Sequence, residues 1–133
     1  MDITLKTDVQ TDGNNSAATL IFVKPDGSEH KKVYVCRKEP ADSTTRAELK
    51  AIITGLKEIR CPCTVHLKLM IMNTVGAINQ EWPTMWEGRR WCNRNGKLVK
   101  DWELWREILE LKRTKKLNLT AEKRENERKE NDA

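Results

Sequence analysis

The sequence predicts an α/β domain, with a mixed five-stranded sheet of three antiparallel strands and then parallel ones, flanked by helices. Three observations lead there. The first 37 residues alternate apolar and polar side chains in three short runs separated by turn formers. A helix-period stripe, Leu49, Ile52, Ile53, Leu56 and Ile59, comes next. An apolar run, Val65 to Met72, then follows that helix, and a strand–helix–strand crossover makes the new strand parallel to an earlier one.

Element by element, Ile3 to Val9 is a strand with one buried face, and residues 10–16 are dense in turn formers. Ala17 to Val23 is the second strand, and Pro25-Asp26-Gly27-Ser28 closes a hairpin. Lys32 to Arg37 is the third. Thr45 and Glu48 have the spacing of a capping box at the start of the first helix, which Pro62 ends. Thr64 to Met72 is apolar enough for a central strand covered on both sides. Asn73 to Glu81 forms a short helix, and Pro83 begins the next turn or helix. A tryptophan-rich basic stretch runs to Asn95-Gly96. Asp101 caps a helix bearing Trp102, Trp105, Ile108, Leu109 and Lys112, and Leu117 to Thr120 adds a last strand. Residues 1–121 make one domain, and 122–133 a charged, flexible tail without an apolar face.

Composition narrows the function classes. A chain of 133 residues is one domain with a single core. It has no apolar run near the roughly 20 residues of a membrane span. The start, Met-Asp-Ile-Thr, has no basic region before an apolar stretch, so a cytoplasmic protein is expected, and a monomer. Cys61-Pro62-Cys63 is one close pair without a second, and His30 and His66 are the only histidines, so incidental reduced thiols are expected rather than a zinc site. The net charge of +5 permits a polyanionic partner. Its local form is sharper: Arg89, Arg90, Arg94, Lys97 and Lys100 occupy a segment with no acid.

Three segments carry a family resemblance. Leu5-Lys6-Thr7-Asp8 is similar to a first-strand motif ending in an aspartate. Thr44-Thr45-Arg46-Ala47-Glu48-Leu49 is similar to a helix-start motif carrying a glutamate. Trp82-Pro83-Thr84-Met85-Trp86, with Trp91, Asn95-Gly96-Lys97 and Leu104-Trp105, resembles tryptophan-bearing helices and a basic protrusion. Together they resemble the ribonuclease H family over about residues 3–120.

The resemblance implies magnesium-dependent (or manganese-dependent) endonucleolytic hydrolysis of the RNA strand of RNA–DNA hybrids, by two metal ions held among clustered carboxylates. Asp8 and Glu48 would be catalytic and metal-binding; Thr11-Asp12-Gly13 makes Asp12 a rival for the first position. The third aspartate of the pattern falls on Met70, or on Ile71 with a one-residue shift, and neither side chain ligates magnesium. Glu130 is the candidate for the fourth acid, and no histidine follows His66 to act as general acid. A degenerate site with weak or absent catalysis is expected. The partner is nucleic acid, an RNA–DNA hybrid or double-stranded RNA, contacted by Thr44, Thr45 and Arg46 at the helix start, Trp82 or Trp86, and Arg89, Arg90, Arg94, Lys97 and Lys100. Thr44 and Thr45 stand where the family has asparagines, which implies poorer discrimination of RNA from DNA. The other readings are a non-catalytic binding module and a structural or protein-interaction domain.

Overall fold

The computed structural model describes residues 2–9, 15–23, 26–37, 39 and 42–124. The strands are β1 (Asp2–Val9), β2 (Asn15–Val23), β3 (Glu29–Arg37), β4 (Thr64–Leu69) and β5 (Asn118–Lys123). The helices are α1 (Thr44–Glu58), α2 (Met72–Asn79), α3 (Trp82–Gly88) and α4 (Trp102–Thr114). The sheet has the order β3-β2-β1-β4-β5. β1, β2 and β3 form the antiparallel meander, while β4 runs parallel to β1 and β5 parallel to β4.

Alternation in β1 explains which face the helices cover. Ile3, Leu5, Thr7 and Val9 are buried, and Asp2 and Asp8 are exposed. In register with them, Ala18 and Leu20 of β2 and Val65, Leu67 and Leu69 of β4 bury the same face, against which α1 packs its Leu49, Ile52 and Leu56 stripe. Gly55 permits the close approach: a Cβ there would overlap the Leu5 side chain. Helix α4, packed beside α1, adds Trp105, Ile108 and Leu109 to this layer.

Several boundaries differ from the sequence-based expectations. The third strand begins at Glu29 rather than Lys32, because full pairing with β2 carries a polar stretch into the sheet. It is reached through a tight turn in which the Asp26 carboxylate accepts from the Ser28 amide and hydroxyl, with Gly27 at φ 88°. β4 stops at Leu69, not Met72, and it is not covered on both sides: Thr64, His66 and Lys68 stay half-exposed while their neighbours are buried. α1 is capped by Ser43, whose Oγ accepts from the Arg46 amide at 3.1 Å; the expected Thr45–Glu48 capping box does not form. Asp101 precedes α4 in a left-handed conformation, φ 59°, without a capping hydrogen bond from its side chain.

At the far edge, β5 runs on to Lys123. The Arg124 amide donates to the Leu69 carbonyl at 2.8 Å and its guanidinium to the Thr7 carbonyl at 2.7 Å. The folded unit therefore extends beyond residue 121. Asn79 closes this edge, its carboxamide donating to the Ala121 carbonyl and accepting from the Ala121 amide, both at 2.8 Å, as a neighbouring strand would. Among the described residues, no helix is long and apolar enough to cross a membrane.

Candidate nucleic-acid interface and carboxylate cluster

Two regions hold the residues singled out from sequence. The first lies where β1 and β4 end. Glu48, in the first turn of α1, is fully buried. Its Oε2 accepts from the Met70 amide at 2.7 Å and from the Thr7 hydroxyl at 3.2 Å. Its Oε1 and the nearby Thr74 hydroxyl are both buried without a hydrogen-bond partner among the described residues. Burial raises the Glu48 carboxyl above its usual pKa, an effect the Met70 amide and the Thr7 hydroxyl offset only in part.

This geometry explains why β4 ends early. Met70 and Ile71 turn their backbone away from the sheet to open α2, which has no side-chain cap of its own, and Glu48 accepts from the first amide of that turn. The contact between Met70 and Glu48 is made by the Met70 backbone amide. The Met70 thioether in turn accepts from the Val9 amide at 3.2 Å.

Asp8 is exposed, and it follows Thr7 on a strand whose side chains alternate, so Thr7 and not Asp8 meets Glu48. Asp12 and Glu130 lie outside the described residues. Among the described residues, no three His, Cys, Asp or Glu side chains converge where one ion could sit. Magnesium needs several hard oxygen ligands in near-octahedral array, and the side chains seen here do not fit that requirement.

The second region is the segment between α3 and α4. Arg89, Arg90, Arg94, Lys97 and Lys100 are all exposed, and none makes an ion pair with a described residue. By contrast Lys57, Lys68, Arg106, Lys112 and Arg113 each sit beside a carboxylate. The segment is built, not slack. Asn93 accepts from the Asn95 and Lys97 amides through Oδ1 at 2.9 and 3.1 Å, and its own amide donates to the Lys97 carbonyl at 2.7 Å. Gly96 supplies the left-handed corner, φ 77°, and Cys92 and Leu98 form an antiparallel bridge.

Tryptophans anchor this segment to the core. Trp91 is buried and lies 6.4 Å from Trp102 between ring centroids, and its carbonyl accepts from the Val99 amide at 2.8 Å. Trp86 sits between Trp82 and Trp105 at 6.1 and 5.8 Å. Trp82 and Trp86 are thus half-buried members of an aromatic row packed on the core.

Arg46 does not extend into solvent. It pairs with Asp101 at 2.8 Å, Glu103 at 2.7 Å and Asp42 at 3.3 Å, and the Glu103 and Asp101 carboxylates raise its pKa still further. It ties the start of α1 to the start of α4, just past the basic segment. Thr44 and Thr45, beside it, are half-exposed. Thr7, Thr74, Asn93 and Arg124 are participants that sequence reasoning missed. Only Asn93, in an Asn-rich run beside Gly96, carried a local signal.

Comparison with known proteins agrees with this architecture. The RNase H family model matches residues 2–127. The ribonuclease H of Moorella thermoacetica is 31% identical over 114 residues, covering 83% of this chain and 71% of that protein. That of Caldicellulosiruptor saccharolyticus is 40% identical over 72 residues, 54% of this chain and 50% of the relative. Against several of these curated relatives, the match therefore spans about half of their length. Among solved structures, LC9-RNase H1, a type 1 RNase H with the type 2 active-site motif, superposes with a TM-score of 0.70 at 15% identity, over 92% of this chain and 63% of that one. A foamy viral protease-reverse transcriptase in complex with RNA/DNA hybrid gives 0.65 at 14% identity, over 98% of this chain and 18% of that one. At such identities the structures speak for the fold alone. With the family model spanning nearly the whole chain, the conclusion is direct: this chain belongs to the RNase H family.

Proposed function

We propose that this chain is a nucleic-acid-binding domain of the RNase H family that grips an RNA–DNA hybrid through residues 89–100, and that its hydrolytic centre is incomplete. The observation that carries the binding reading is the set of five exposed cations without acidic partners, held on a loop that Asn93 and the tryptophan row make rigid. Cations kept out of ion pairs are available to phosphates, and a preformed loop loses little entropy on binding. A structural neighbour solved with RNA/DNA hybrid supports the choice of ligand. Double-stranded RNA, which shares the hybrid's phosphate spacing and 2′-hydroxyls on one strand, is the alternative substrate.

Three observations support the incomplete centre. A thioether stands at Met70, Glu48 is committed to an amide and a hydroxyl, and Asp8 leaves β1 on the side away from Glu48. We place the protein in the cytoplasm, whose reducing conditions suit its four unpaired cysteines.

The test is a labelled hybrid titrated with the chain while salt is varied. The affinity is expected to fall linearly with salt on logarithmic axes, and absence of binding even at low salt overturns the reading. With magnesium or manganese the bound hybrid is expected to remain uncut. Cleavage that disappears in Glu48→Gln would show the centre to be complete. Met70→Asp, which puts a carboxylate on the residue whose amide Glu48 accepts from, is the variant expected to gain metal-dependent cleavage.

A further inference from the structure

We infer that β3 pairs with β3 of a second copy of this chain, joining two sheets edge to edge in a weak two-fold dimer. The two edges of the sheet are treated differently. At β5 the Asn79 carboxamide occupies the backbone of Ala121, and α2 packs alongside. At β3 no described element pairs with the outer side of a strand nine residues long. Natural sheets blunt such edges with short strands, charged side chains, prolines, bulges or covering elements. Over Glu29–Arg37 there is no proline and no bulge in the pairing with β2; charged residues are present at Glu29, Lys31, Lys32 and Arg37, yet Val33 and Val35, 61% and 64% exposed, lie between them.

Its sequence is complementary to itself. Antiparallel pairing centred on Val33 sets Val33 against its own copy, Lys31 against Val35 and Glu29 against Arg37. Directly opposed residues share a face, so these pairs lie together on the side of the sheet away from α1. The two valines of each copy form a central apolar strip, closed at each end by an opposite-charge pair. Glu29 and Arg37 lack strong commitments at home, being exposed partners in 3.8 Å contacts with Lys31 and Glu39. On the α1 side the same register sets Lys32 opposite Tyr34, an ammonium over a half-buried ring. A one-residue slip would break all of these pairs at once.

Residue i meeting residue j while j meets i is the signature of a two-fold interface. The contact is one strand wide, below the area of stable complexes, so association is expected only at high concentration. The sequence alone led to the expectation of a monomer.

Light scattering on the full chain, from low micromolar to millimolar concentration, tests this. The mass is expected to climb from that of one chain, 15.5 kDa, toward that of two. Val33→Lys, which sets two ammonium groups face to face, is expected to hold it at one chain. Glu29→Arg alone is expected to weaken the dimer at least several-fold, and Glu29→Arg with Arg37→Glu to restore it. These side chains are solvent-exposed, and an unchanged melting temperature verifies that each variant folds. A mass that stays at one chain up to millimolar overturns the inference. So does a dimer indifferent to Val33→Lys, or one that the double charge reversal fails to rescue.

Discussion

At the ends of β1 and β4 a carboxylate is shut away from water and bonded to an amide and a hydroxyl. Between α3 and α4 five cations stand in solvent with no ion-pair partner among the described residues. Both regions are polar, and both carry residues that the family resemblance marks as functional. What separates them is where their hydrogen-bonding and charge capacity goes. Glu48 joins three elements of one chain, the first turn of α1, the end of β1 and the start of α2. The basic loop instead satisfies its own backbone through Asn93 and leaves its charges for something else. The comparison teaches that a motif residue can be held in place by folding energetics alone, while binding capacity shows as charge left unpaired.

The sharpest way to break that contrast is Glu48→Ala. It leaves the Met70 amide and the Thr7 hydroxyl without an acceptor and opens a cavity, so a loss of about 2–4 kcal/mol in urea unfolding is expected. Hybrid affinity of the folded fraction should not change. A loss below ~1 kcal/mol would mean that Glu48 is not structural. Next in size, Arg94→Glu with Lys97→Glu should lower hybrid affinity by about 10–100-fold near 0.1 M salt and flatten the salt slope by roughly 2, with the melting temperature unmoved. If the melting temperature falls with the affinity, the loop is not the independent platform described here.

Asn93→Ala tests whether rigidity in that loop matters. Losing an acceptor for two amides should cost about 1 kcal/mol and a few-fold in affinity, with faster amide exchange at Asn95 and Lys97. The smallest effect concerns acid. Asp42 is pushed up by burial but pulled down further by Lys50, the Glu39 amide and Arg46, so its carboxyl ends below the ordinary value of 3.8. With the folded pKa below the unfolded one, the ionised form favours the fold. Its contribution is present above pH 3.8 and is lost as pH falls through the lower folded value. Asp42→Asn should therefore cost about 1 kcal/mol or less at neutral pH, and nothing in strong acid.

Much of this architecture was legible from residue patterns because it is local. Alternation in β1, the stripe of α1 and the Trp105–Leu109 face each repeat with the period of their element. The misreadings share a cause in contacts between distant residues. Glu48 lies three positions after Thr45, the spacing of a capping box, yet its carboxylate accepts from Met70, 22 residues on. Met70 to Met72 is as apolar as any strand, yet β4 stops at Leu69 and α2 begins at Met72. The tie between Arg46 and Asp101, 55 residues away, is likewise invisible to a local pattern. The start of β3 was missed for another reason: Glu29, His30 and Lys31 lie on an edge where burial demands little, so no alternation marks them.

Gly55 has a mechanical consequence. Contact between α1 and Leu5 is closest there, two helical turns from Glu48, so the glycine works as a fulcrum under a rigid beam. A methyl group at that point would prop up the middle of the helix, tilting its amino end away from β1. The smallest side chain in the chain thus sets how deep its buried carboxylate can reach.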